Sequence, residues 1–204
     1  HPKRITPYLF VLSLIFACSE VDEELEPVII NPWPVEPSPK AYVYLDENGV
    51  TMKASENSKP GDRADFEGDT YLIVDDDILR ELVRGYPSND VDLSKLVTTK
   101  VTDMNELFYN RTGYNFDLSN WDVSNVENMN SMFGGSPFNQ DISSWDVSNV
   151  VDMNAMFSFA ESFNQDLNSW NISNVTDCNN FCLNTPNWSL PKPNFSNCGD
   201  TGCD

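Results

Sequence analysis

The sequence predicts an α/β solenoid: a short stack of repeating coils with a small α+β cap ahead of it. Two observations carry that expectation. Val101-Thr-Asp-Met104 returns as Val126-Glu-Asn-Met129, Val150-Val-Asp-Met153 and Val175-Thr-Asp-Cys178, at steps of 25, 24 and 25 residues. Between these markers, Asn139-Gln-Asp-Ile-Ser-Ser-Trp-Asp-Val-Ser-Asn149 recurs as Asn164-Gln-Asp-Leu-Asn-Ser-Trp-Asn-Ile-Ser-Asn174. A fixed period of this size marks units that bury their apolar side against their neighbours.

The chain starts at His1 rather than Met, so a few residues are expected to precede it. Lys3 and Arg4 stand before an apolar run from Tyr8 to Ala17, too short to span a bilayer as a helix, and residues 1–17 read as a signal peptide. The run ends in Leu14-Ile-Phe-Ala-Cys18, which resembles a bacterial lipobox with Cys18 as the acylated residue. An ordinary secretory signal with a chance cysteine is the alternative. Residues 18–40 are first acidic (Glu20, Asp22, Glu23, Glu24) and then rich in proline (Pro27, Pro32, Pro34, Pro37, Pro39). Such a segment has too little apolar surface to offset its ordering entropy and reads as an extended tether. The acids just after Cys18 resemble an export signal that sends lipoproteins to the outer cell face.

Residues 41–90 predict the α+β cap. Tyr42–Leu45 and Val50–Lys53 flank Asn48-Gly49, a hairpin signal, and Phe66 and Tyr71–Val74 flank Glu67-Gly68-Asp69, a second one. Asp75-Asp-Asp77 puts acid at the start of a helix that buries Ile78, Leu79, Leu82 and Val83 and ends at Gly85.

Residues 91–198 predict the repeats, leaving 199–204 as a tail. Leu118, Trp121 and Val123, with Ile142, Trp145, Val147 and Leu167, Trp170, Ile172, follow the L-x-x-L-x-L rhythm of the strand in a leucine-rich-repeat-like coil. Val126, Met129, Met132 and Phe133, and again Val150, Met153, Met156 and Phe157, then mark one face of a short helix. Asp92–Thr98 aligns with Asp117–Val123 as an opening half coil. Leu190, Pro193 and Phe195 replace Leu167, Trp170 and Ile172 at the other end. There Pro191 and Pro193 remove ladder donors, as suits a last edge strand. About five strands are expected.

Charge and residue usage exclude whole classes of function. Removal of residues 1–17 takes away Lys3, Arg4 and His1 but no acid, leaving 10 basic and 32 acidic residues and a net charge of −22. Arg111 is the only basic residue between 101 and 190. The cationic surface that displaces counterions from phosphates is missing, so nucleic acid is not an expected partner. Attachment to a membrane would be covalent. His1 is the single histidine, which excludes Ser-His-Asp and Cys-His catalysis and His-bearing zinc sites from the mature chain. Carboxylates that recur in register behave as a surface ladder rather than a glycosidase pair. No enzyme activity and no cofactor are expected.

Cys178, Cys182, Cys198 and Cys203 cluster at the C-terminal end. In an exported protein four cysteines favour two disulfides. Cys178 and Cys182 take the core positions of Met129 and Phe133 and sit too near each other on one turn to bridge well. Cys178–Cys198 with Cys182–Cys203 is the favoured pairing; the crossed pairing and a four-thiolate zinc site are the rivals.

The signature from Phe138 to Phe157, Phe-Asn-Gln-Asp-Ile-Ser-Ser-Trp-Asp-Val-Ser-Asn-Val-Val-Asp-Met-Asn-Ala-Met-Phe, resembles the BspA-like leucine-rich-repeat bacterial surface proteins, including the mycoplasma-type lipoprotein repeat. Thr70-Tyr-Leu-Ile-Val-Asp75, Leu79-Arg-Glu-Leu-Val83 and Thr102-Asp-Met104 look like that family's N-terminal block. The resemblance covers residues 42 to about 198. It implies a surface-exposed protein-binding or adhesion module, with an extracellular or cell-surface protein or glycan as partner, and the lipobox and acidic segment add the expectation of a lipid anchor at the outer membrane. A structural envelope lipoprotein without a specific soluble ligand is the alternative.

Within that reading, Asp122, Asp146 and Asn171, flanked by Ser124, Ser148 and Ser173, are expected to point outward from stacked strands about 4.8 Å apart and to form the ligand face. A merely solvated polar face accounts for the same pattern. Asp117, Asp141 and Asp166 form a second column, which a bridging Ca²⁺ or backbone-capping turns would each explain.

Overall fold

A computed structural model describes residues 40–88, 91–196 and 198–203. Strands β1 (Val43–Leu45) and β2 (Met52–Ala54) pair antiparallel, with Val43 opposite Ala54 and Leu45 opposite Met52. The turn between them uses Gly49 at φ 71°, where a side chain would be strained. Strands β3 (Arg63–Phe66) and β4 (Asp69–Ile73) form a second hairpin. Its turn residues Glu67 and Gly68 both have positive φ, the twist that matches right-handed strands. Helix α1 (Asp76–Gly85) follows. Asp75 caps it by accepting from the Ile78 N–H at 3.0 Å, and Leu79 and Val83 are its buried residues. Strand β5 (Leu96–Val97) then joins β4 in parallel, so the second sheet runs β3–β4–β5.

Helix α1 also finishes the edge of the first repeat. The Asp76 carboxylate accepts from the Thr102 and Asp103 N–H groups at 2.7 and 3.1 Å. The Arg80 guanidinium donates to the Asn105 carbonyl at 2.6 Å and pairs with Asp103 at 3.1 Å. Backbone groups that would otherwise face solvent unpaired thus find side-chain partners.

The expected α/β solenoid of leucine-rich-repeat coils is overturned. The regular structure among the described residues is two small sheets, a single α-helix and one 3-10 turn (Leu93–Lys95), and no strand-and-helix coil closes. The strands expected at Leu118–Val123 and its equivalents are absent, as are the helices expected at Val126–Phe133 and Val150–Phe157 and the edge strand at Leu190–Phe195. Turns take their place. Single parallel bridges join Asp103 to Asn128, Asn128 to Asp152 and Asp152 to Asp177.

The physical reason lies in backbone bonds three residues apart. Trp121 donates to Leu118, Val126 to Val123 and Met132 to Met129. Successive tight turns bring every third residue inward, so the i, i+3 spacing of Val126, Met129 and Met132 is met without a helix. Glu106, Ser131, Ala155 and Asn180 all take φ of 51–55° at equivalent positions, where a right-handed helix cannot continue. The freed N–H groups reach the next repeat: Met104, Glu106, Phe108 and Asn110 donate to Asn128, Asn130, Met132 and Gly134. Met129, Ser131, Phe133 and Gly135 repeat that pattern onto Asp152, Asn154, Met156 and Ser158.

One continuous core results, from Val74 in the N-terminal part to Trp188. Phe108, Phe133 and Phe157 stack at centroid separations of 5.5 Å, and Phe138 stacks on Phe133 at 4.0 Å. Each buried aromatic of this kind contributes about 1.5–3 kcal/mol of hydrophobic stabilisation.

Candidate binding face

Three series of carboxylate and amide side chains shape the surface of the repeats. In each, the side-chain oxygen accepts from the N–H two residues on. Asp117, Asp141 and Asp166 accept from Ser119, Ser143 and Asn168 at 2.9–3.0 Å. Asp122, Asp146 and Asn171 accept from Ser124, Ser148 and Ser173 at 3.1–3.3 Å. Asp103, Asn128, Asp152 and Asp177 do the same one turn later. These residue types recur because a short side chain can close a turn in place of a backbone carbonyl. The same bonds stabilise the ionised form. The Ser143 backbone N–H, then its hydroxyl, hold Asp141 below the usual carboxylate range against a smaller effect of burial.

The first series is exposed, and one oxygen of each carboxylate is already engaged by the backbone. Among the described residues no group of three or more metal-ligating side chains is brought together.

The second series was expected to face outward as one column, and the structure splits it. Asp146, Asn171 and Ser173 are exposed, and Ser124 and Ser148 are half-buried. Asp122 is 2% exposed, covered by the β1–β2 hairpin, whose Met52 N–H donates to the Asn120 carbonyl at 2.8 Å. Its Oδ1 takes the Ser124 hydroxyl at 2.6 Å, and its Oδ2 has no hydrogen-bond partner. The nearby cation is Lys53. Burial works to lower the pKa of this ammonium, but the hydrogen bond to Asp46 and the charge of Asp122 outweigh it and hold it above its ordinary value.

A longer open surface runs beside Asp146 and Asn171. Asn125, Asn149 and Asn174 stand in a row, with Glu127, Val151 and Thr176 alongside, lining one shallow groove across three repeats. The asparagine Nδ2 groups donate to the carbonyls of Thr99, Ser124 and Ser148 at 2.6–2.8 Å, which fixes their spacing. All six residues are exposed. The sequence reading missed this row because it assigned the Val126, Val150 and Val175 segments to helices on the opposite side.

At the C-terminal end, disulfides join Cys178 to Cys198 and Cys182 to Cys203, with Cα separations of 5.5 and 4.8 Å. Asn180 and Cys182 donate to the carbonyls of Asp200 and Thr201, so the tail pairs where a further repeat would sit. Cys18 lies outside the described residues. No helix among the described residues is long and apolar enough to cross a membrane.

A family described as "Mycoplasma protein of unknown function, DUF285" matches residues 78–192, more than half of the chain. No curated protein and no solved structure matches.

Proposed function

The chain belongs to the DUF285 family, and from that premise we propose that it is a surface-exposed bacterial lipoprotein acting as a non-catalytic binding module. In this reading Cys18 carries the lipid that ties the chain to the outer membrane. The partner is an extracellular or cell-surface protein or glycan, and no nucleic acid or cofactor takes part. The finer kinship with BspA-like surface proteins, carried by the Phe138–Phe157 signature, belongs to the same proposal.

The observation that supports it is the row of equivalent exposed side chains along three repeats, with Val151 43% exposed at its centre. A row of fixed spacing presents the same group several times to an extended partner, and its few apolar atoms sit among polar ones. Asp146 and Asn171 border this row and remain contact candidates; Asp122, under the hairpin, is withdrawn from the contact face.

The test uses the full mature chain against a panel of immobilised extracellular-matrix proteins and surface glycans. Val151→Lys with Thr176→Lys changes exposed positions, where substitutions usually cost under about 0.5 kcal/mol. The expected result is binding to a panel member that the double variant weakens tenfold or more. Unchanged binding by the double variant overturns the face. No binding to any panel member favours the structural envelope role instead.

A further inference from the structure

Three of the four arginines that follow the signal segment meet at one place. Arg80 and Arg84, one turn apart on α1, and Arg111, at the end of the first repeat, line a depression of about 240 Å³ with Glu106, Leu107 and Tyr109. Sequence alone does not show this meeting, because 27 residues separate Arg84 from Arg111.

The three guanidinium groups are not alike. Arg80 is committed to Asp103 and to two backbone carbonyls. Arg84 is exposed, Arg111 is half-buried with its guanidinium 5.6 Å from the Tyr114 ring centroid, and neither has an ion-pair partner among the described residues. In a chain with 32 acidic residues, two arginines at one depression that form no ion pair among the described residues are a local exception. Tyr109 is 47% exposed beside them, and its ring lies against Gly134, where an added Cβ would come within 3.0 Å of it. The ring is thereby seated with part of its surface open. Glu106 adds an exposed acceptor to the same rim.

We propose that this depression is a subsite for an acidic sugar unit of a surface glycan. The proposal deepens the surface-binding reading and rests on it for where such glycans are met. Arg84 and Arg111 would take the carboxylate or sulfate group, for which the guanidinium fork is the best-matched side chain. The Tyr109 ring would stack on the C–H face of the sugar, and Glu106 would accept from a hydroxyl. At about 240 Å³ the depression falls below the roughly 300–1,000 Å³ of clefts for drug-sized ligands, which limits it to a small group such as one sugar unit. The overall negative charge does not forbid the contact. Charges farther off than about 8 Å are largely screened at physiological ionic strength, and among the described residues lining the depression the two uncommitted arginines outnumber the one carboxylate, Glu106.

Binding of the full mature chain to hyaluronan oligosaccharides, which carry carboxylate alone, and to chondroitin sulfate oligosaccharides tests the proposal. Dextran serves as the neutral control and a polyglutamate peptide as the non-sugar anion. We expect one or both acidic oligosaccharides to bind, weaken as NaCl rises and lose at least tenfold in affinity in R84Q/R111Q, and the pair of acidic arms tells carboxylate from sulfate. Y109A should weaken the oligosaccharides while leaving any polyglutamate binding unchanged. Failure of both acidic oligosaccharides to bind, binding unchanged in R84Q/R111Q, or equal binding of polyglutamate overturns it. A partner that binds through the Val151 row in R84Q/R111Q as in wild type would leave the surface-binding reading standing while this subsite falls.

Discussion

The indole Nε1 of Trp145 donates to the carbonyl of Leu118, one repeat earlier, at 3.0 Å. Trp121 reaches Leu93, Trp170 reaches Ile142 and Trp188 reaches Gln165 in the same way, at 2.9–3.2 Å. Neighbouring repeats are therefore joined on this side by a buried side chain, where a sheet would use backbone donors. Asn120, Ser144 and Ser169 add side-chain donors to Ser94, Ser119 and Ser143 on the same side.

Trp145→Phe isolates that link. The Leu118 carbonyl also accepts from the Trp121 N–H, so it is not left without a partner. The loss is then one net hydrogen bond, about 0.5–1.5 kcal/mol, together with the void left by a smaller ring, on the order of 1 kcal/mol. Urea unfolding should report a destabilisation of about 1–3 kcal/mol. A variant within 0.5 kcal/mol of wild type (roughly the scatter of surface substitutions) would show that the indole links add nothing.

Ala155→Gly should stabilise, against the usual direction. Ala155 sits at φ 51°, in register with Glu106, Ser131 and Asn180. The left-handed region costs a residue with a Cβ about 1–2 kcal/mol, while glycine loses about 0.5–1 kcal/mol of chain entropy relative to alanine. The difference favours glycine by about 0.5–1 kcal/mol. A lower unfolding midpoint for the variant would mean that the strain is relieved elsewhere in the turn.

The sequence exposed the core of the repeats far better than their secondary structure. Leu118, Trp121, Val123, Val126, Met129, Met132 and Phe133 are all buried, as their periodicity required. That periodicity could not tell a helix from a run of three-residue turns, because both bring residues i and i+3 inward. The discriminating signal was the placement of Asp and Asn: Asp117, Asp122 and Asn128 each precede by two residues the N–H they cap, a pattern of turns rather than of helix interiors. Asp122 was misplaced for a different reason. Its burial comes from a hairpin some 70 residues earlier, and nothing local to Trp121-Asp-Val123 differs enough from Trp145-Asp-Val147 to announce that cover. The arginine cluster was hidden in the same way, by a helix that folds back on the first repeat.

Acid should weaken the fold through the turn carboxylates. The Asn179 backbone N–H lowers the pKa of Asp177 against burial, helped by the side-chain amides of Asn154 and Asn179, and Ser143 does the same for Asp141. A folded pKa below the unfolded one gives stability that is complete above the unfolded value, about 4, and is lost as pH falls through the folded value. The unfolding midpoint should therefore be flat with respect to these two groups near neutrality and fall below about pH 4. Asp141→Asn with Asp177→Asn keeps an acceptor oxygen and removes the titration, so its decline should be shallower. A double variant whose acid profile has the same slope as wild type would remove these carboxylates from the account.

The junction of Asp122 with Lys53 decides whether charge or apolar contact holds the β1–β2 hairpin on the repeats. Asp122 keeps one oxygen without a hydrogen-bond partner in a buried place, which is costly unless a cation offsets it. Lys53, on β2, lies 3.0 Å from Asp46 with a side chain 24% exposed, and the charge of Asp122 helps keep it protonated. Were Lys53 an ordinary surface ion pair, its loss would cost about 0–1 kcal/mol. As the cation opposite a buried carboxylate, Lys53→Met should cost more. A double-mutant cycle with Asp122→Asn should then give a coupling energy above about 0.5 kcal/mol, the upper limit for independent sites. Asp146 is the equivalent residue one repeat on and is exposed, so the cycle of Lys53→Met with Asp146→Asn should give almost none. Equal coupling in the two cycles would mean that Lys53 contributes only to the general field, leaving Val43, Met52 and Ala54, the buried residues of the hairpin's own strands, to hold it by apolar contact alone.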